Sequence, residues 1–389
     1  MELRVGADDV WRPASEENPR TGLAKMELLV GADAFWRRAA EDSARASRRL
    51  LVEVMTFEGD SVGQRIAADI ASSPARDRRV IVDGYSRVVL SDQWARWPMA
   101  RMTDELRAEK RATQAMFNGL AAAGVGVRVT NPVDWFLANY PARNHKKLII
   151  ADDVAYLGGI NFSEHNFSWR DFMLRIEGAE AVDFLAADFQ ATWNGAPRAA
   201  ALDLDTLRLV SLDGRSNRRF LAEVTGLLAS ARREIVVLSA YLTFPYARPL
   251  GLAARRGVPV RLITPWVNNK PLLRDYLLDF ARRHRFDVRL LPEMSHLKGL
   301  LIDGEILVIG SCNFDFAGHA AEEELAAIIR DPALIETFRR EVIDPAEAAA
   351  TGQGEVTPLA GLAARVKLRI ANVVAVAARI WKRRAVEGF

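Results

Sequence analysis

The 389-residue chain contains a single cysteine, Cys312, so no disulfide bond can form within it. We therefore expect the protein to work in a reducing compartment. No apolar run approaches the roughly 20 residues that a membrane-spanning helix needs. The opening residues, MELRVGADDVWRP, are acidic where an export signal would be basic. Together these absences predict a cytoplasmic protein with no spanning helix.

The net charge is also small, at +3 for the whole chain, and the charged residues that produce it are unevenly distributed. Residues 361–389 contain seven basic side chains and one acid, which leaves residues 1–360 with a net charge of −3. A nucleic-acid groove normally spreads lysine and arginine over the face that binds. The charge distribution therefore predicts no nucleic-acid partner.

A long-period repeat divides the chain. ASRRLLVEVMTF and ARREIVVLSAYLTF each place two arginines at the end of a helical pattern and follow them with an apolar, strand-like run. A second helical stretch and a second apolar strand come next, RRVIVDGY and PVRLITPW. Strands that are apolar on both faces are typical of a sheet covered by helices. We therefore predict two similar α/β/α sandwich halves, related by a pseudo-two-fold axis, with the active site at their interface.

The domain boundaries follow from breaks in this pattern. We predict an N-terminal arm over residues 1–26, a first half over 27–197, a second half over 205–345, and a basic amphipathic tail over 351–389. Between the halves, NGAPRAAALDLD interrupts the pattern with Gly, Pro and Ala.

Each half contains a His-x-Lys motif before an apolar run: His145 with Lys147 and His296 with Lys298. Because side chains at i and i+2 of a strand share a face, each motif should present an imidazole beside an ammonium. One such pair would more often be an ordinary surface feature. Two copies in matched surroundings favour a catalytic role.

A second strand follows each motif after a turn at Asp152–Asp153 or Asp303–Gly304. This hairpin should return Asn161 or Asn313 to the side of the His-Lys pair. Two lysines, two amides and two histidines that converge would hold a phosphate and stabilise the charge of a pentacoordinate transition state. One neutral imidazole would attack phosphorus while the other protonates the leaving oxygen.

Small residues lie on each return strand, as Gly158–Gly159 and Gly310–Ser311. We expect them to let the anionic group approach the backbone closely.

Two acids are placed to orient the histidines. Asp171 lies 26 residues after His145, and Glu324 lies 28 residues after His296, each at the start of an apolar run. Either could hold the second ring nitrogen of an imidazole, as the acid does in a catalytic triad.

The other histidines, His165, His284 and His319, have no matched partners in the repeat, and we interpret them as ordinary residues. His165 and His319 each follow a motif asparagine closely enough to line the pocket. No spacing of His and Cys resembles a zinc site, so no metal is predicted.

The motifs resemble the phospholipase D superfamily, whose signature is His-x-Lys-x4-Asp-x6-Gly-Ser-x-Asn. The second copy matches it in full through His296, Lys298, Asp303, Gly310, Ser311 and Asn313. In the first copy only five residues separate Asp152 from Gly158, and Gly159 stands at the serine position. Whether Asp152 or Asp153 fills the aspartate role, which in this family is mainly structural, is therefore open.

Within the superfamily, GGINFSEHN and GSCNFD make the chain most similar to bacterial cardiolipin synthases. That resemblance implies transfer of a phosphatidyl group from phosphatidylglycerol through a phosphohistidine, without metal or organic cofactor. It favours His145 as the nucleophile and His296 as the acid, although the sequence leaves this choice open, as it does the oligomeric state. A phospholipase D that uses water has the same active site. A nuclease or other phosphodiesterase is the less favoured alternative.

An anchor to the membrane is expected in the tail. Apolar residues recur there at helical spacing along one stripe, between basic residues: Leu362, Val366, Ile370, Val373, Ala377, Ile380 and Trp381. We predict a helix that lies on an anionic membrane surface and attaches the enzyme peripherally to the inner membrane. The alternative is a helix packed on the body of the protein.

Overall fold

The computed structural model describes residues 24–94, 103–133, 142–351, 356–381 and 386–388. Strands β1–β9 are Lys25–Val30, Arg49–Val54, Asp77–Asp83, Val89–Leu90, Gln93–Trp94, Gly126–Thr130, Lys147–Ala151, Val154–Gly158 and Phe172–Glu177. Strands β10–β18 are Ala200–Asp203, Leu207–Asp213, Ile235–Ser239, Val260–Pro265, Asp287–Leu291, Lys298–Ile302, Ile306–Gly310, Glu323–Ile329 and Val386–Gly388.

Helices α1–α6 are Ala32–Arg45, Ser61–Ser72, Asp104–Ala122, Glu164–Phe167, Ala179–Trp193 and Arg218–Ser230. Helices α7–α12 are Ala247–Arg255, Pro271–His284, Phe316–Ala320, Pro332–Phe338, Asp344–Ala349 and Pro358–Trp381. Side-chain caps begin several of them: Asp60 accepts a hydrogen bond from the Gly63 N–H at the start of α2, and Thr103 does the same for Leu106 at α3.

The chain forms two compact units. We call Lys25–Arg198 the first unit, to which β18 also belongs, and Ala199–Arg379 the second unit. The sheet of the first unit has the order β1-β9-β8-β7-β2-β3-β6-β18 among the described residues. In the second unit the order is β10-β11-β17-β16-β15-β12-β13-β14.

Both sheets are mixed in the same way. Three adjacent strands run parallel, β2-β3-β6 in one and β12-β13-β14 in the other, while the neighbours on the β7 or β15 side are antiparallel. Each sheet packs against helices through a buried apolar core that includes Phe35 and Phe162 in the first unit, and Phe220 and Leu277 in the second. The predicted fold class, two similar α/β halves, is confirmed.

Helix α12 has two different faces in its first four turns. Ala364 and Leu368 are buried in the core of the second unit. Gly361 lies so close to α8 that a Cβ there would be 2.5 Å from the Cβ of Asp279, whose carboxylate also pairs with Arg365 at 3.4 Å. The predicted alternative, a helix packed on the body, is therefore correct for this face.

The opposite face is the predicted apolar stripe. Leu362, Val366, Ile370 and Val373 are between 49% and 68% exposed. The side chains of Ala377, Ile380 and Trp381 lie outside the described residues. Helix α12 thus packs on the second unit through Gly361, Ala364 and Leu368, while its opposite face presents large aliphatic side chains to solvent.

The end of the tail differs from the helical prediction. Val386–Gly388 form β18, which pairs antiparallel with β6 at the edge of the first sheet. An edge strand has unpaired N–H and C=O groups, and adding a short strand satisfies part of that edge.

Candidate active site

Each His-Lys motif lies at the start of a β-hairpin. In the first unit β7 begins at Lys147, and in the second β15 begins at Lys298, so both histidines lie just outside the strand rather than within it as expected. Strands β7 and β8 are antiparallel, with Ala151 opposite Val154. The predicted hairpins are present in both units.

The two hairpins differ by one turn residue. In the second unit Ile302 pairs with Ile306, which leaves three residues in the turn, whereas only Asp152 and Asp153 connect β7 to β8. The shorter turn accounts for the missing residue in the first motif.

Asp152 and Asp303 occupy equivalent places. Both have a left-handed backbone, with φ of 48° and 56°. The Asp152 carboxylate accepts hydrogen bonds from three successive backbone N–H groups at the start of β2, those of Ser47, Arg48 and Arg49, at 2.8–2.9 Å. Asp153 instead projects into solvent and pairs with the Arg48 guanidinium. Asp152 is therefore the structural counterpart of Asp303.

The Asp303 carboxylate repeats this arrangement on Arg232, Arg233 and Glu234 N–H groups, at 2.7–3.1 Å. Partial burial alone would raise the pKa of these carboxyls, but the backbone donors lower the pKa of both Asp152 and Asp303. The two aspartates connect each hairpin turn to the start of β2 or β12, the antiparallel neighbour of β7 or β15.

Both motif lysines are buried, with about 1% of their surface exposed. Lys147 Nζ donates to the His145 carbonyl oxygen at 2.7 Å. Its neighbour Lys146 is directed elsewhere, into a buried pair with Asp188 at 2.6 Å. In the sequence HKK, Lys147 thus contacts the backbone of His145, whereas Lys146 pairs with a buried acid.

In the second motif the lysine also meets the imidazole. Lys298 Nζ lies 2.8 Å from His296 Nδ1 and donates to the His296 carbonyl oxygen at 2.6 Å. An ammonium has only donors, so Nδ1 must accept its hydrogen bond. A neutral His296 with that contact carries its proton on Nε2.

The residue before His145 fixes the path of the first motif. Asn144 donates its backbone N–H to Asp83 at 2.7 Å and its side-chain N–H to Glu53, also at 2.7 Å. Asp83, fully buried, also pairs with Arg143 at 2.7 Å. The sequence interpretation missed this anchor, although Asp83 ends an apolar strand, and ligands of α/β sheets gather at the carboxyl ends of parallel strands.

The glycines of the return strands face protein, not ligand. A Cβ at Gly158 would lie 2.5 Å from the Phe172 carbonyl oxygen, and one at Gly310 would lie 2.2 Å from that of Leu325. Gly310 also has φ of 152°, which side chains rarely allow. The expectation that these positions leave room for an anion is wrong for Gly158 and Gly310, because the neighbouring strand fills the space.

The motif asparagines are both buried just after the return strands. Asn161 Oδ1 accepts from the Thr56 N–H at 3.3 Å. The Asn313 carbonyl oxygen accepts from the Ser239 hydroxyl at 3.1 Å. Thr56 and Ser239 lie at or near the carboxyl ends of β2 and β12, so each asparagine lies at that end of the sheet in its own unit.

Asp171 and Glu324 occupy matching register positions. Gly158 pairs with Met173 and Gly310 with Ala326, so each acid stands two residues before the partner of its motif glycine. Both acids are buried. Asp171 Oδ1 accepts from the Phe172 N–H at 2.9 Å, and the Glu324 carboxylate accepts from the Ser311 hydroxyl.

The unmatched histidines have separate environments. His165 lies between Ser163 and Asn166 and contacts the Trp169 ring. His284 stacks on Phe280 at the end of α8, and His319 contacts Tyr246. Cys312, between Ser311 and Asn313, is buried, and burial raises the pKa of its thiol well above the usual value.

Residues 42–193 and 224–344 match the family described as "Cardiolipin synthase, PLD-like domain". The two segments together span more than half of the chain and contain both hairpins. The chain belongs to this family. Its membership confirms the resemblance inferred from the motifs and the expectation of a phospholipase D-superfamily enzyme.

Curated members of the cardiolipin synthase family are similar over much of their length. Cardiolipin synthase B of Escherichia coli K12 is 26% identical over 329 residues, which cover 76% of this chain and 73% of that protein. Minor cardiolipin synthase ClsB of Bacillus subtilis 168 is 28% identical over 250 residues, or 58% and 61% of the two chains.

Two solved structures share the fold of this cardiolipin synthase family member. A phosphatidylserine synthase from Haemophilus influenzae Rd KW20 superposes with a TM-score of 0.68 at 16% identity, over 92% of this chain and 97% of that one. A polyphosphate kinase from Porphyromonas gingivalis gives a TM-score of 0.54 at 15% identity, over 90% of this chain and 56% of that one.

Among the described residues, we find no helix with the length and apolar character to cross a bilayer.

Proposed function

We propose that this enzyme transfers a phosphatidyl group from a phosphatidylglycerol-like lipid to a second lipid alcohol through a phosphohistidine. The observation that carries the proposal is the duplicated half-site, in which each unit places a buried lysine against a motif histidine. Family membership and the names of the curated relatives support a phospholipid substrate.

In the proposed reaction one motif histidine attacks phosphorus and the other exchanges protons with the alcohols. One imidazole nitrogen attacks phosphorus with its lone pair, the bond from phosphorus to the glycerol oxygen breaks, and that oxygen takes a proton from the other histidine, which enters this step as an imidazolium. A lipid hydroxyl then gives its proton to the second imidazole and bonds to phosphorus, and the phosphorus–nitrogen bond breaks. Lys147 and Lys298, with Asn161 and Asn313, stabilise the charge that develops on the phosphoryl oxygens.

We propose His145 as the nucleophile and His296 as the acid, which is the assignment that the resemblance to cardiolipin synthases favours. To protonate the leaving oxygen, His296 must be an imidazolium, with hydrogen on both ring nitrogens. Asp171 and Glu324 are proposed to orient the motif imidazoles.

We further propose that α12 holds the enzyme on an anionic phospholipid surface on the cytoplasmic side. Its exposed stripe, defined as Leu362, Val366, Ile370 and Val373, provides apolar surface for the interface. Lys367 and Arg369 are exposed beside that stripe and complement lipid phosphates. Peripheral attachment to the inner membrane follows from this proposal.

Product analysis tests the proposed function. The full chain is incubated with detergent-dispersed phosphatidylglycerol, and we expect cardiolipin and glycerol. Phosphatidic acid alone would instead identify a hydrolytic phospholipase D, and a lack of both products would contradict phospholipid chemistry.

Histidine variants assign the roles in the same assay. His145→Ala and His296→Ala should each lower turnover at least about a thousandfold. His284→Ala, at the ring stacked on Phe280, is the matched control and should retain turnover. Acid quenching and peptide mass analysis should locate phosphate on His145, and a label on His296 alone would reverse the assignment.

A further inference from the structure

A tyrosine joins the second motif histidine to an exposed lysine. The Tyr241 ring meets the His296 imidazole edge to face, with the ring centroids 5.8 Å apart. Lys270 Nζ lies 4.7 Å from the centroid of the same tyrosine ring. The imidazole and this second ammonium therefore share one aromatic neighbour, although Lys270 belongs to neither sequence motif.

The loop before α8 is built to hold this arrangement. The Tyr241 hydroxyl donates to Asn269 Oδ1 at 2.6 Å. Asn268, itself buried, accepts from the Lys270 N–H at 2.7 Å and donates to the Ala240 carbonyl oxygen at 2.9 Å. The backbone of Lys270 is thus fixed while its side chain remains exposed to solvent. A cation over an aromatic face is further held by the negative charge of the ring face.

The positive charge of Lys270 also acts on a buried carboxyl group, that of Asp315. Burial raises the pKa of Asp315 to about 6, and the charge of Lys270 acts in the opposite direction. Asp315 follows the motif residue Asn313 by two positions and caps α9 through the Gly318 N–H. The positive charge of Lys270 therefore reaches the immediate surroundings of the second half-site.

The first unit has no equivalent at the matching strand position. Val54 pairs with Lys147 and Ser239 pairs with Lys298, so Tyr241 and Thr56 each stand two residues beyond the matched residue. A threonine offers no aromatic face to a cation. The described part of the first unit thus has no aromatic ring at the position that matches Tyr241, whereas the second unit, which contains His296, has both the ring and the lysine.

We propose that Lys270 binds the phosphate of the acceptor lipid that does not react. The inference rests on the proposed function, in which His296 gives a proton to the alcohol that leaves and takes one from the alcohol that attacks. If the acceptor is a second phosphatidylglycerol, its own phosphodiester lies one glycerol away from the attacking hydroxyl. An ammonium that shares an aromatic neighbour with His296 is suited to that phosphate, and it favours such a lipid over water or a neutral alcohol.

Competition between acceptors tests the site. Full-length enzyme receives phosphatidylglycerol in detergent together with ethanol, and cardiolipin and phosphatidylethanol are quantified in one reaction. Their ratio reports how the common phosphohistidine divides between acceptors, because any change in donor cleavage affects both products equally.

Lys270→Ala should lower the ratio of cardiolipin to phosphatidylethanol about 10–100-fold, the size expected for loss of one charged hydrogen bond. Lys270→Arg should restore most of the ratio, and Lys270→Glu should lower it further. Arg255→Ala removes the same charge at the end of α7, which leads into the amino-terminal end of β13, and should leave the ratio unchanged.

Two failures are distinguishable. A Lys270→Ala ratio within twofold of wild type, alongside normal cardiolipin formation, would overturn the acceptor site alone. A wild-type enzyme that releases only phosphatidic acid and phosphatidylethanol would overturn both the acceptor site and the proposed transfer between lipids.

Discussion

The carboxylate of Asp171 occupies the space that a side chain at Gly159 would need. A Cβ at position 159 would lie 2.3 Å from Asp171 Oδ2. In the second unit the matching residues are Ser311 and Glu324, which are joined by a hydrogen bond. The two units therefore make the same contact with different pairs, glycine with aspartate and serine with glutamate. This explains why the first motif lacks the serine of the signature.

Gly159→Ser should displace Asp171 and lower turnover about 10–100-fold, the loss typical of partners that orient a reactive group in metal sites. Ser311→Gly removes a hydroxyl without causing a clash, so its effect should be smaller. Phosphatidylglycerol turnover and thermal unfolding are measured for both variants. Wild-type turnover in Gly159→Ser would show that the position of Asp171 does not matter for the reaction.

Replacing the acids directly should give losses of similar size. We expect Asp171→Asn and Glu324→Gln each to cost about 10–100-fold in kcat, because we propose that these acids orient and polarise the histidines rather than react. The pH–rate profile should also change, since a carboxylate partner stabilises the protonated imidazole. Unchanged kcat and an unchanged profile in both variants would mean that other carboxylates hold the histidines.

The turn aspartates should contribute to stability rather than to chemistry. Asp152→Ala removes the acceptor of three backbone N–H groups and places alanine at a left-handed φ, so we expect a loss of about 2–4 kcal/mol in the free energy of unfolding. Asp153→Ala removes only an exposed ion pair and should cost less than about 1 kcal/mol. Urea unfolding compares them, and equal losses would contradict the assignment of Asp152.

The repeat and the motif spacing were sufficient to predict two α/β halves, the hairpins and the matched positions of Asp171 and Glu324. These features depend on local periodicity and on register, which sequence order determines. The close contacts of Gly158 and Gly310 depend instead on the strand beside them, and nothing in the local pattern reveals it. Tyr241 and Lys270 are separated by a helix in sequence and meet only because β12 and β13 are adjacent.

Stability should depend on pH through Glu58. Burial and contact with Glu109 raise the pKa of Glu58 from 4.5 to about 9, with Asp60 adding to the effect, while Ser91 donates its N–H to the carboxyl and His165 lies 3.7 Å away. Between these pH values the folded chain keeps a proton that the unfolded chain releases. The stability that the folded chain gains from holding the Glu58 proton is therefore fully present below pH 4.5 and is lost as the pH rises to about 9.

Glu58→Gln cannot ionise, so it should remove this dependence. Urea unfolding at pH 6 and pH 9 should show that the variant loses roughly 1–3 kcal/mol less than wild type across that interval. Glu336→Gln, at an exposed position on α10, is the control and should follow wild type. Parallel pH dependence of Glu58→Gln and wild type would contradict a protonated Glu58.

Helix α12 allows its two faces to be tested separately. Replacing Val366, Ile370 and Val373 by serine should weaken binding to anionic vesicles at least about tenfold with little change in Tm, because these side chains are exposed. Leu368→Ala should instead lower the free energy of unfolding by about 2–5 kcal/mol and leave vesicle binding intact below the transition.

Vesicle co-sedimentation and thermal unfolding are compared for both α12 variants. Added salt should weaken the binding of wild type by screening its basic residues. Unchanged sedimentation of the triple variant, with a large fall in Tm, would contradict a membrane role for the exposed stripe.

The burial of Cys312 has a practical consequence for spectroscopy. Thiol reagents act on an accessible thiolate, and this thiol is both enclosed and held in its protonated form. A cysteine introduced at Ile370 or at Arg255 would then be the only one to react with a fluorescent or paramagnetic probe. The native chain can thus report on depth in a bilayer or on movement of a single helix without first removing its own cysteine.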